Sequence, residues 1–419
     1  MSGVRFLEES VTADLVLTEV QLAELARLST KMVGTLPWWG EAEDGDLIAP
    51  RRIIQITPRG SMRYSVTVRN AIGAIGLPGM TMIIRPKIPD DHFAYLAASA
   101  LGVVPRRDEA PVDLASGGTF VDLVMMWFVD ALTGVVKRGL TRGYQGLRAN
   151  RPSVRGSLHI RPTVAMWLKG RASIDCSFDV FDINTAENRI LVAACRVVAG
   201  SALVGEHVRR RARRLLELVP GVGPIQPGDL SVPPTRSPHY AAAMSLARQV
   251  LGASGRSLSD SGLESRTFLI YTPDLVEQGI RRILSDGLAP TRIEKKRKVL
   301  VPSTVSVNPD ILADPPPFTA DVKYKIGGLY WNRPDLAQAV FFASAFGAVK
   351  AATISFRSES SAVLAPVQVG RVLVTPLLWD TRIGTSPARA AAELVSSFGF
   401  IFDHQSDNLV GRASIVPSQ

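Results

Sequence analysis

The chain has 419 residues, 46% of them hydrophobic, with 48 basic and 38 acidic residues and a net charge of +10. That length supports two or three domains with cores of their own, and the basic excess favours polyanionic partners without naming one. Cys176 and Cys195 are too few for a disulfide framework, no Cys/His spacing suggests zinc, and a reducing cytoplasm is the simple location.

Met1 to Ser10 contains acids and no apolar signal core, which argues against secretion. Residues 1–105 are predicted to form a β-rich amino-terminal domain after a short helical start. Within it, Ile53, Ile54 and Ile56 run into the turn Pro58-Arg59-Gly60. Trp38-Trp39 lies between Pro37 and Gly40, beside the acidic run Glu41 to Asp46. Paired tryptophans in a loop can anchor a partner, but the apolar area an aromatic gains by burial favours packing on the domain's own core.

Residues 106–262 are predicted to be mainly helical, with a strand-like interruption from Ser157 to Phe181. Phe120 to Val136 is the most apolar helix candidate. Asp122 and Asp130 interrupt it and it is short for a bilayer, so it reads as a buried helix and no membrane is expected. Arg209, Arg210, Arg211, Arg213 and Arg214 share a helix with the stripe Val208, Ala212, Leu215, Leu216 and Val219. Most of these arginines therefore face away from the core, toward solvent by default and a DNA backbone as the second reading. Pro233-Pro234 and the serine- and glycine-rich stretch Gly252 to Gly262 are candidate joints.

Residues 263–419 read as an α/β domain. Thr272-Pro273-Asp274 resembles a helix start, with a capping hydroxyl, a proline at the first position and an acid in the first turn. Leu275, Val276, Gly279, Ile280, Ile283 and Leu284 then form an apolar arc with Glu277 at its border. Lys295-Lys296-Arg297-Lys298 follows as a basic ridge. Val305 to Leu312 and Phe318 to Lys325 read as two strands, separated by Pro315-Pro316-Pro317, which cannot continue a ladder.

Side chains on a strand repeat every second residue, so Asp321 and Lys323 share a face. Asp310, near the turn on the partner strand, needs only a small bend to bring its carboxylate beside that of Asp321. Two carboxylates and an amine in this pattern suit metal-assisted phosphodiester cleavage. Hard oxygens bind Mg²⁺ through one or two protein ligands and leave positions for water and phosphate. The metal lowers the pKa of the attacking water and neutralises charge on the phosphate, while Lys323 would position that water or bind a phosphate oxygen. Asp335 and Gln338 open a second helix, with Ala339 to Phe346 apolar, and Ala352 to Phe356 reads as a further strand. Helix, hairpin, helix and strand gather the acids at one edge of a sheet. No Gly-x-x-x-x-Gly-Lys-Ser/Thr phosphate loop occurs, so nucleotide hydrolysis by that route is not expected.

Glu277, Asp310, Asp321-Val322-Lys323-Tyr324-Lys325 and Gln338 resemble the PD-(D/E)xK nuclease core, and specifically that of the McrC family, the nuclease subunit of McrBC-type modification-dependent restriction systems. Three further blocks resemble the family in the same order. These are Asn70-Ala71-Ile72-Gly73 with Ile83-Ile84-Arg85-Pro86-Lys87-Ile88; Arg138-Gly139-Leu140 and Tyr144 with Arg155-Gly156-Ser157-Leu158; and Phe178 to Asp182 with Glu187-Asn188-Arg189-Ile190-Leu191.

The resemblance spans roughly residues 60 to 360. It implies a Mg²⁺-dependent endodeoxyribonuclease, with Mn²⁺ as an alternative metal, acting on double-stranded DNA for a separate McrB-like AAA+ GTPase. Asp310 and Asp321 would be metal ligands, Glu277 an outer metal contact, Lys323 the water- or phosphate-orienting amine and Gln338 an auxiliary. Lys295, Lys296, Arg297, Lys298 and Lys325 are the candidate DNA contacts. Phe342 stands where the family often has tyrosine, and residues 1–50 match poorly, so partner contacts there are expected to differ. A non-catalytic activator of an NTPase ring and a RecB-like repair nuclease are the alternatives.

Overall fold

A computed structural model describes residues 3–31, 53–103, 119–231, 237–253 and 267–403. Trp38-Trp39, the run Glu41 to Asp46, Pro233-Pro234 and residues 254–262 of the serine-glycine stretch lie outside them. The chain divides into two units: Met1–Leu123 together with Thr267–Gln419, and Val124–Arg266 between them in sequence.

The first unit begins with β1 (Gly3–Glu8), β2 (Thr12–Val16), α1 (Glu19–Lys31), β3 (Ile54–Gly60), β4 (Arg63–Val68), β5 (Ala71–Leu77), β6 (Met80–Arg85) and α2 (Asp90–Leu101). Strands β2, β4 and β3 form one antiparallel sheet. After α3 (Phe120–Arg138) come the elements of the second unit: β7 (Gly143–Arg151), β8 (Ser157–Leu158), α4 (Ile160–Trp167), β9 (Ile174–Asp182), α5 (Ala186–Gly200), α6 (Glu206–Glu217) and α7 (Pro238–Ala253). The strand-like interruption begins earlier than expected, at Gly143 rather than Ser157, and is a three-stranded sheet in the order β7-β9-β8.

Asn188 and Arg189 serve the interior of this second unit. Asn188 Nδ2 donates to the carbonyls of Thr141 and Ile183 at 2.9 and 2.6 Å, and its Oδ1 accepts from the Tyr240 hydroxyl at 2.7 Å. Arg189 makes a two-pronged pair with the buried Asp229 at 2.7 and 2.8 Å. Every buried charge and amide in this group has a partner, which is the condition for burying it at all. Four of the five arginines of α6 are also engaged: Arg209, Arg213 and Arg210 gather around Glu206 at 2.8, 3.2 and 3.7 Å, and Arg211 pairs with Asp130.

The chain then returns to the first unit through β10 (Thr267–Tyr271), α8 (Thr272–Gly287), β11 (Arg292–Glu294), β12 (Lys298–Val299), β13 (Ser306–Val307), β14 (Ile311–Asp314), β15 (Phe318–Ile326), α9 (Arg333–Phe346), β16 (Lys350–Arg357), β17 (Val367–Val369), β18 (Val372–Asp380) and α10 (Pro387–Asp403). Strand β10 pairs antiparallel with β5, completing the sheet β1-β6-β5-β10. The two sequence segments of this unit are therefore joined by backbone hydrogen bonds. Gly73 makes the pairing possible: at φ +136°, a Cβ there would lie 2.0 Å from the Phe268 carbonyl oxygen.

The second sheet of this unit runs β11-β14-β15-β16-β18-β17. β14 and β15 are the antiparallel hairpin, while β15, β16 and β18 are parallel. Helix α9 connects β15 to β16, and its Ala339 and Ala343 pack on Ala351, Val372 and Val374. From β15, Phe318 packs instead on Phe398 and Phe402 of α10, at ring separations of 5.0 and 6.3 Å. The overall class is mixed α/β. No helix among the described residues is long and apolar enough to cross a membrane.

Helix α8 starts at Thr272 with Pro273 and Asp274 in its first turn, as its sequence suggests, but the Thr272 hydroxyl is not its cap. Tyr271 occupies the cap position without a side-chain cap bond, and the Thr272 hydroxyl donates to Glu9 Oε1 instead. Further along α8, Gly279 lies against α2, where a Cβ would come within 2.4 Å of the Leu96 carbonyl oxygen. Substituting Gly279→Ala is expected to cost about 1–3 kcal/mol through forced separation of the two helices. Urea unfolding of the full chain measures this, and an unchanged midpoint would remove the close packing from the account.

Candidate active site

Asp310 precedes β14, one step beyond the Ile311–Ala320 pair, which brings it opposite Asp321 on β15. Both are buried, at 8% and 3% exposure. Asp310 Oδ2 accepts from the Val322 amide at 2.8 Å, and its backbone carbonyl accepts from Arg281 Nη1 of α8 at 2.8 Å. The hairpin and α8 thus hold the same residue.

Lys323 follows at an irregularity in the sheet. Val322 pairs with Ile354 and Ile326 with Phe356, so β15 advances four residues where β16 advances two. Such a bulge re-aims side chains and breaks the local ladder. Lys323 Nζ lies 2.5 Å from Asp321 Oδ2 and donates to Gln338 Oε1 of α9 at 2.6 Å. Lys325 reaches Asp335 on the same helix. Asp310, Asp321, Lys323 and Gln338 are therefore together.

Glu277 of α8 adjoins Asp310. Its Oε2 takes the Lys295 ammonium at 3.5 Å. Of the other residues expected at DNA, Lys296 Nζ stands 4.0 Å from Glu294, and Lys298 Nζ donates to the Ala345 carbonyl at 2.7 Å and lies over the Phe346 ring. Arg297 lies between these two lysines in sequence. Lys295, Lys296, Lys298 and Lys325 are thus directed at groups of their own unit.

Burial and mutual repulsion govern the acids. Asp310 is pushed up to about 7 by burial and then by the neighbouring Glu277 charge. Asp321 is likewise raised to about 7 by burial and by Asp310, against the opposing pull of Lys323. Glu277 is raised by burial, opposed by Lys295. Interacting carboxyls of this kind release their protons as a coupled set.

A divalent cation fits this arrangement. Asp321 Oδ2 is buried and has no aligned hydrogen bond, the Lys323 ammonium approaching it as an ion pair. Hard carboxylate oxygens suit Mg²⁺, which is commonly held through one or two of them. Among the described residues, no group of three or more His, Cys, Asp and Glu side chains is arranged to hold a metal; the carboxylates that stand opposite each other here are Asp310 and Asp321.

The acids, the lysine and the glutamine that the sequence singles out stand together in the structure. Sequence reasoning missed Arg281, which a spacing of four residues from Glu277 on one helix would have suggested. It also missed Glu9, Lys87 and Tyr324, whose association depends on contacts far apart in sequence.

The family model of the McrBC 5-methylcytosine restriction system component matches residues 66–342. The type IV methyl-directed restriction enzyme EcoKMcrBC of Escherichia coli (strain K12) is 20% identical over 141 residues, covering 34% of this chain and 40% of that protein. The aligned stretch is thus less than half the length of this curated relative. A chain from the refined half-complex of the tetradecameric assembly of Thermococcus gammatolerans McrB AAA+ hexamers with bound McrC has a similar fold. Its TM-score is 0.56 at 13% identity, covering 95% of this chain and 100% of that one.

Unfolded aspartates titrate near ~3.9, whereas Asp310 and Asp321 are both raised to about 7 in the fold. Between those values the folded chain holds protons that the unfolded chain has released, so these groups lower stability as pH rises through the window. In metal-free buffer, Asp321→Asn is therefore expected to raise the melting temperature at pH ~8, with the gain shrinking as pH falls through the window and disappearing only below pH ~4. Added Mg²⁺ should raise the melting temperature of the parent at the higher pH more than that of the variant. Scanning fluorimetry reads both, and a variant that melts lower than the parent at the higher pH would contradict the assignment.

Proposed function

We propose, from the premise that the chain belongs to the family of McrBC 5-methylcytosine restriction system components, that it is the Mg²⁺-dependent endonuclease subunit of such a system. Its sheet and hairpin would be a PD-(D/E)xK core. The observation that carries the reading is the buried Asp310 and Asp321 pair, with Lys323 held between Asp321 and Gln338.

In this reading Asp310 and Asp321 hold the metal and Glu277 contacts its outer sphere. The ion, when bound, supplies Lewis acidity at the scissile phosphate and an acidified water. Lys323 orients the attacking water or a phosphate oxygen as a charge-assisted donor, and Gln338 fixes the direction of its ammonium. Arg281 and the Val322 amide keep Asp310 in place, which preserves the geometry that proximity catalysis requires. Mn²⁺ would occupy the same oxygens.

The partner is proposed to be an McrB-like AAA+ GTPase, as in the Thermococcus gammatolerans assembly, whose described contents are McrB hexamers with bound McrC. Charge distribution supports dependence on such a partner. The net charge of +10 lies entirely within residues 124–266, and basic and acidic residues are equal in number over the remainder, which bears the acid hairpin. A unit without net positive charge has little long-range pull on a DNA backbone. DNA, carrying 5-methylcytosine if the methyl-directed relative is a guide, would have to be brought to the hairpin.

Asp321→Ala should abolish cleavage of a 5-methylcytosine duplex by the complex reconstituted with its AAA+ partner in MgCl₂, while stimulation of nucleotide hydrolysis by that partner persists. EDTA should have the same effect on cleavage. Surviving cleavage in the variant would make the chain a non-catalytic activator instead.

A further inference from the structure

The Arg85-Pro86-Lys87-Ile88 element contributes nothing to the site as built so far, yet Lys87 grips the strand that carries it. Lys87 Nζ donates to the Tyr324 carbonyl at 3.3 Å, its backbone amide donates to the Tyr324 hydroxyl at 3.3 Å, and its ammonium stands 4.6 Å from the centre of the Tyr324 ring. Tyr324 immediately follows Lys323, within the stretch where the β15–β16 register has no paired residues. A carbonyl left out of a ladder needs another donor, and Lys87 supplies one. The Tyr324 ring packs with Phe93 and Phe356, at 6.2 and 5.7 Å, whereas Lys323 and Lys325 turn to α9. Lys87 therefore holds the bulge from the side opposite the two lysines.

Glu9 is the counter-charge. It is fully buried at the end of β1, 3.9 Å from Lys87 Nζ, and accepts from Thr272 at the start of α8, the helix that carries Glu277 and Arg281. Burial raises the Glu9 carboxyl pKa and Lys87 opposes that rise. An apolar side chain would fill this space without the desolvation cost of a buried ion pair, but it would offer no donor to a carbonyl freed by a bulge.

We infer that Lys87, neutralised by Glu9, is a positioning residue that fixes the β15 bulge and thereby aims Lys323 at the scissile phosphate. This rests on the nuclease reading above. Small displacements of a reacting group carry large rate penalties, so the effect is on turnover rather than on DNA binding.

The test uses the full chain in the reconstituted complex, with MgCl₂ and a 5-methylcytosine duplex. The double variant K87M/E9Q leaves no uncompensated buried charge. It is expected to keep the parental melting temperature within a few degrees and the parental KM, to lose about tenfold or more in kcat, and to show faster amide exchange across Val322 to Ile326. K87R, which retains the charge and donors, is expected to recover most of the rate, and E9Q alone to lose kcat severalfold at constant KM. Parental kcat in K87M/E9Q overturns the inference, as does a loss carried wholly by KM. If the double variant does not fold, E9Q decides, and parental kcat there overturns the inference as well. D321A separates the two levels: cleavage surviving in it overturns the nuclease reading, whereas an inactive D321A beside a fully active K87M/E9Q overturns only the role of Lys87.

Discussion

The arrangement depends on two carboxyl groups that are buried side by side, where burial and mutual repulsion oppose the ionisation of both. Asp310 and Asp321 lie opposite each other on a hairpin, each below a tenth exposed, and each is driven up to about 7 by burial and by its acidic neighbours. In isolation this is a destabilising feature of the fold. The surroundings read as means of holding it in place: the Val322 amide and Arg281 fix Asp310, Lys323 offsets Asp321, and Gln338 fixes Lys323. In the proposed reading, an ion bound between the two carboxylates would remove their repulsion.

Much of this hairpin was legible in the sequence because its determinants are local. Alternation on a strand puts Asp321 and Lys323 on one face, the proline run sets the turn, and α9 follows within a few residues, bringing Gln338 into reach. The bulge was not legible, since nothing in Lys323-Tyr324-Lys325 shows how many residues the neighbouring strand spends across the same distance. Thr272 shows the same limit from another side. Its sequence context is that of a helix cap, but a buried carboxylate from the first strand takes its hydroxyl, a tertiary contact that overrides the local preference. The pairing of β10 with β5 was hidden for a related reason: two segments separated by the whole second unit meet, and only Gly73 marks the place.

The basic residues illustrate how position alters a reading made from composition. Four of the five arginines of α6 are gathered around Glu206 and Asp130, and the ridge before the hairpin is turned toward Glu277, Glu294 and the end of α9. With the net charge confined to residues 124–266, the unit that bears the acids has no net positive charge to attract DNA at long range. The proposed division of labour, cutting here and delivery elsewhere, has a physical basis in that separation.

The central claim is that Asp310 and Asp321 together hold one divalent ion at the bulge of β15. Titrating the full chain with Mn²⁺ near neutral pH and following free ion by electron paramagnetic resonance tests it without any partner or DNA. The account expects saturable binding of one ion per chain that is lost in Asp310→Ala. Absence of saturable binding, or binding unchanged in that variant, would contradict it.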